Sequence, residues 1–127
     1  MFTKDLNGEL TATALVPAAV VTANANGSGV DLIGYIGNLK VVVNVGASTG
    51  TSQTLDLKIQ DSADNATFAD LSPANAITQV AGAGASLQSL SLDTRAVRRY
   101  VRAVSTVGGT SPSFPLGVTA VGYKQVE

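Results

Sequence analysis

The chain has no histidine, cysteine or tryptophan, and only three phenylalanines and three tyrosines. Without histidine it lacks the commonest general base, the usual partner of a serine or cysteine nucleophile, and the commonest metal ligand. Without cysteine it forms no disulfide and no thiolate metal site, and its redox compartment leaves no mark. So few rings leave little surface on which sugars or bases can stack. Charge is scarce too: 13% of residues are charged, about half the ordinary share. The formal charge is −1 and the pI is near 5.2, whereas a nucleic-acid binder normally carries a basic excess. No apolar run is long enough to cross a membrane. These absences argue against an enzyme, a nucleic-acid partner and a membrane partner, and no cofactor is expected.

What is present is apolar and small. The 127 residues suit one domain with one core, hydrophobic residues make up 45%, and mean hydropathy is +0.26. The exposed surface must therefore be covered largely by Ser, Thr, Asn, Gly and Ala. Such a surface is poor at keeping molecules apart, so much of it is expected to be buried against partners.

Thr54 to Leu71 is the clearest patterned stretch. Leu55, Leu57 and Ile59 alternate with Asp56, Lys58 and Gln60, the period of a strand with one face in a core. Asp61-Ser62-Ala63-Asp64-Asn65 then reads as a turn, and Thr67, Phe68 and Leu71 as the return of a hairpin. Leu39, Val41, Val43 and Val45 share one face of a second strand, with Val42 the apolar exception on the other. Weaker strands are expected at Val30 to Ile36, around Ile77 to Val80, and at Ser89 to Leu92, with Asp93 to Arg95 capping a helical turn. Tyr100 to Val107 is a further strand. Gly108 to Pro115 reads as a long turn that holds Phe114, and Val118 to Val126 closes the chain. Turn clusters lie at Asn24 to Gly29, Gly46 to Ser52 and Pro73 to Asn75. No segment has a long 3.6-residue period, so the expectation is an all-β, two-sheet antiparallel sandwich.

Residues 1–29 read as an extended N-terminal arm and turn, joined to a single sandwich at 30–127. The arm's β-branched residues and Pro17 favour extended backbone. It pairs either with its own sheet or with a neighbouring subunit. Its opening superficially resembles a signal peptide, but the leading charges are acidic on balance and Pro17 breaks the apolar run.

All four arginines, Arg95, Arg98, Arg99 and Arg102, fall in one short stretch. Arg98 and Arg102 fall on one side of an extended chain and Arg99 on the other, which does not make a stripe for a phosphate backbone. They read either as an interface patch gripping an acidic neighbour or as a charged strand edge that prevents wrong pairing. Asp61, Asp64 and Asn65 lack the spacing of a calcium loop, and turn chemistry accounts for them. Nothing in the spacing supports Asp61 and Asp70 as paired catalytic carboxylates. The glycine-rich pieces at 27–29 and 82–84 lack the lysine and helix of a phosphate cradle.

Three pieces carry a family resemblance: residues 9–34, residues 54–71 with Asp61-x-x-Asp64-Asn65-x-Thr67-Phe68, and residues 98–125 with Arg99-Tyr100-Val101-Arg102. Their order and character resemble the small capsid cement, or decoration, proteins of tailed bacteriophages. The resemblance implies a jelly-roll-like sandwich that forms homotrimers on the outer capsid surface of a virion. There it would bridge and stabilise subunits of the major capsid protein. It brings no catalytic residues with it. A receptor- or glycan-binding module of a tail fibre or adhesin is the alternative.

Overall fold

The computed structural model describes residues 10–71 and 77–124. The turn expected at Pro73 to Asn75, the acidic lead before Leu10 and the last three residues lie outside the described residues. Nine strands follow one another, with no helix among the described residues: β1 (Leu10–Val21), β2 (Ala25–Asn26), β3 (Val30–Asp31), β4 (Tyr35–Val45), β5 (Thr49–Ser62), β6 (Ala69–Asp70), β7 (Val80–Ala81), β8 (Ser86–Asp93) and β9 (Tyr100–Lys124). Every pairing is antiparallel.

The chain is an all-β, jelly-roll-like sandwich whose two sheets share β9. The front sheet runs β1, the second half of β9, β4 and β8. The back sheet runs β2 and β3 in tandem, the first half of β9, β5, then β6 and β7 in tandem. Tyr35 pairs with Lys124, Val45 with Leu116, Thr49 with Ser113 and Ser62 with Tyr100. The stretch from β4 through β5 and the whole of β9 therefore form one long ribbon, folded over so that its halves lie in different sheets.

The fold corner corrects the sequence expectation. Gly108 to Pro115 is not a turn between two strands: β9 runs through it unbroken for 25 residues. Its buried positions are Val101, Ala103 and Ser105 before the corner, and Phe114, Leu116, Val118 and Ala120 after it. That change of parity needs an irregularity, because side chains alternate strictly along a regular strand. Gly109 (φ 97°) and Ser111 (φ 49°) supply it on β9, and Gly50 (φ 131°) and Ser52 (φ 53°) on β5, where the register also shifts. Phe114 is consequently fully buried instead of lying in a loop.

The core lies between the sheets. Leu39, Val41, Val43 and Val45 meet Leu55, Leu57, Ile59 and Val101 there, in the alternation seen in the sequence. Each such side chain contributes about 1.5–3 kcal/mol when fully buried. The expected hairpin after β5 is present, with a return of only two paired residues, Gln60 with Asp70 and Asp61 with Ala69. One side of the sandwich is stitched by polar groups. The Ser48 hydroxyl donates to the Gly82 carbonyl at 2.7 Å and accepts from Gln53 at 3.2 Å, and the Ser48 N–H donates to the Ala83 carbonyl at 3.1 Å. On the other side, β1 is an edge strand whose Leu15 reaches the core.

Candidate functional site

The structure gives each arginine a partner within the chain and spreads the four apart. Arg98 grips Asp61 at the end of β5: its side chain donates to Oδ1 at 2.9 and 3.2 Å, and its backbone N–H to Oδ2 at 3.0 Å. Arg99 turns the other way, to Asp31 on β3, with two bonds of 2.8 and 2.9 Å. Arg102 stacks over the Phe68 ring at 4.1 Å and donates to Gln60 at 2.9 Å. Arg95, its side chain 85% exposed, reaches back to Asp93 at 3.3 Å, at the helical turn where Ala96 and Val97 N–H groups bond the Asp93 carbonyl.

The carboxylates are equally committed. Burial pushes the Asp61 carboxyl up, but Arg98's side-chain and backbone hydrogen bonds and its charge outweigh that and leave it below the ordinary value. The Arg99 side chain, helped by the Ile33 N–H, holds Asp31 at about 2. Asp64 is also held at about 2, by the N–H groups of Thr67 and Ala66 and by the Ser62 hydroxyl. Gln60 and then Lys58 lower Asp70. Asp61, Asp64 and Asp70 thus belong to separate hydrogen-bond sets, with no shared acid–base pair among them. The tyrosines also diverge. Tyr35 is buried in the front sheet, Tyr123 points out of the same sheet, and Tyr100 lies in the back sheet beside Arg99.

The two outer faces differ in kind. The back face is charged and self-satisfied. Arg102, Gln60 and Asp70 form a cross-strand row, with Gln60 donating to Asp70 at 2.7 Å and Lys58 bonding it from the next row. Asp56 accepts two bonds from Gln79. The loop 63–68 folds over this face until Asn65 and Phe68 pack on Gly29.

The front face has no such cover among the described residues. Its outward rows are Leu10–Tyr123–Ile36, then Ala12–Val121–Lys40–Ser91, then Ala14–Thr119–Val42–Ser89, and finally Gly117–Asn44–Leu87. Among the described residues, Lys40 and Asp93 are the charges at these outward positions and on the rung that continues them, and Lys124 stands opposite Tyr35 on the rung beside the first row. Of the five large hydrophobic side chains left exposed among the described residues, Val20, Ile36, Leu87 and Tyr123 belong to this sheet and none to the back sheet. Leu87 is 71% exposed. Two shallow hollows lie on the face: one of about 390 Å³ at Ala18, Asn44, Pro115 and Gly117, and one of about 430 Å³ at Lys40, Val42, Ser91 and Val121.

The sequence held a signal for this face. Residues 10–30, 71–92 and 103–123 contain no charged residue at all, and they supply β1, β8 as far as Leu92 and the second half of β9 as far as Tyr123. Strand periodicity places them in strands, but only the sheet order shows that they stand side by side.

No family model matches the chain, and no curated protein matches it by sequence. Among solved structures it is similar to the SPBc2 prophage-derived protein YomS, with 13% identity, a TM-score of 0.51, and 90% of this chain and 94% of that one covered. It is also similar to part of the xylanase 10B CBM22-1–GH10 modules of Clostridium thermocellum, complexed with xylohexaose. That match has 11% identity, a TM-score of 0.45, and covers 93% of this chain and 25% of that one. At these identities the likeness is one of fold: an all-β sandwich of the kind also built by a prophage-derived protein.

Proposed function

We propose that this chain is a structural virion protein of the cement type, which assembles with copies of itself, binds the outer surface of a capsid and stabilises the shell without catalysing any reaction. The observation that carries the reading is the division between the faces: one sheet is covered by charged and polar groups bonded to one another, the other bears few charges and four exposed large hydrophobic side chains. A broad face with few charges and several exposed large hydrophobic side chains marks an interaction site. The paired carboxylates and arginines, and three hollows lined by no carboxylate, support a role without chemistry. The fold likeness to a prophage-derived protein is compatible with it.

The mechanism is linkage. A protein that binds only the assembled shell stabilises it by RT ln(1 + [L]/Kd) per site, and many sites add. The test is co-sedimentation of purified protein with undecorated shells, followed by heating of both. Retention on the shells and a raised disruption temperature are expected. Failure to co-sediment would sink the reading, and binding to a glycan array without shell binding would favour a tail-fibre or adhesin module instead.

A further inference from the structure

We infer that the front face, the outer surface of β1, β9, β4 and β8, is buried against a second copy of this chain. The inference rests on the proposed role as an assembling structural protein and names the surface that does the assembling.

The occupant follows from charge and relief. Lys40 and Asp93 stand two rungs apart on the same side of the ladder, Lys40 opposite Ser91 and Asp93 opposite Asn38, with the buried Leu39 between them. The face thus carries one charge of each sign at its outward positions among the described residues, too few to select a strongly charged partner. It does complement a surface of the same composition. Small residues such as Ala14, Thr119 and Ser89 flank Val42 at the centre of the face and permit close approach. Around that centre, Leu87, Val20 and Tyr123 protrude beside two hollows, so the face offers both the projections and the recesses that another copy would need. The outward rows, with the flanking Ala18, Val20 and Pro115 at one hollow, supply most of the roughly 20 residues per side at the lower end of a stable interface. The back face cannot serve in this way, because its polar groups are already bonded to one another and the loop 63–68 lies across it.

The experiment uses the full chain and measures mass in solution by light scattering over a range of concentrations. Two neighbouring positions are charged separately, Val42→Glu and Ser89→Arg, and Thr106→Lys on the back face is the control. Circular dichroism checks that each variant is folded, and Ser89, exposed on an edge strand, tolerates the change without touching the core. The wild type and T106K are expected to associate, while V42E and S89R run as folded monomers. A monomeric wild type, or V42E and S89R that remain associated, overturns the inference. If the wild type is monomeric yet binds shells and S89R abolishes that binding, the front face meets the capsid protein, which overturns this inference and leaves the cement reading intact. If S89R dissolves the oligomer but no form binds shells, the inference stands and the cement reading falls.

Discussion

The side-chain amide of Gln88 pairs with the backbone of Thr78 in both directions, accepting from its N–H and donating to its carbonyl, each at 2.9 Å. Gln88 lies on β8, the edge of the front sheet, and Thr78 leads into β7 of the back sheet, so one side chain acts as a rung between sheets. Gln88→Ala removes both bonds. Because both are exposed and water can replace them, the expected loss is only about 1 kcal/mol, read as a shift of the urea midpoint, with faster hydrogen exchange at the Thr78 amide. An unchanged Thr78 exchange rate would contradict the rung.

Asp61 and Arg98 make a different kind of bond, because Asp61 is nearly sealed from water. Arg98→Ala leaves a buried carboxylate with backbone N–H groups but no side-chain partner from position 98, and the expected destabilisation is about 1–3 kcal/mol. Arg95→Ala, which frees only the exposed Asp93, is expected to change stability by less than about 0.5 kcal/mol. Equal effects in chemical denaturation would show that the Asp61 pair is not special.

Acid should weaken the fold in a definite window. Asp31 and Asp64 have folded-state values near 2 against an ordinary 3.8, and Asp61 is lowered as well. A group depressed on folding contributes its stability above the unfolded value, and that contribution is lost as pH falls through the folded one. The thermal midpoint is therefore expected to be steady above about pH 4 with respect to these groups and to fall between about pH 4 and 2. Asp64→Asn should flatten that fall, and a variant with the wild-type slope would refute the assignment.

The corner of the ribbon depends on Gly109. Its φ of 97° lies where a side chain is strained, and a Cβ there would stand 2.6 Å from the Ser52 carbonyl oxygen. Gly109→Ala is expected to cost more than about 2 kcal/mol. Gly37→Ala is the comparison: φ is 72° but nothing lies within 4 Å, so only the backbone term of about 1–2 kcal/mol remains. Phe114→Ala, just past the corner, should cost about 3–5 kcal/mol, whereas a loop phenylalanine would cost far less.

The sequence displayed the core strands because each keeps a strict period of two: Leu39 to Val45 and Leu55 to Ile59 landed on the inner face as their spacing predicts. It concealed the corner because Gly108-Gly109 and Ser111-Pro112 are the residues of a turn and equally the residues of a bend inside one strand. The arginine cluster was visible, but its partners were not. Asp31 and Asp61 lie 68 and 37 residues from Arg99 and Arg98, and only the pairing of β9 with a strand on each side brings them near. The uncharged face was written in three separate runs whose adjacency is a property of sheet order alone.

The ribbon also sets an order of assembly in time. Ser62 and Tyr100, at its back end, are its partners closest in sequence, and Tyr35 and Lys124, at its front end, are the furthest apart. Closing a shorter loop costs less entropy, so zippering is expected to begin at the first pair and travel toward the second. Pulse-labelled refolding should protect Lys58 and Val104 amides before those of Val42 and Thr119, and the reverse order would refute this. A chain that zips in that direction finishes its water-compatible half first, so the uncharged surface matures only on a scaffold already rigid enough to present it whole.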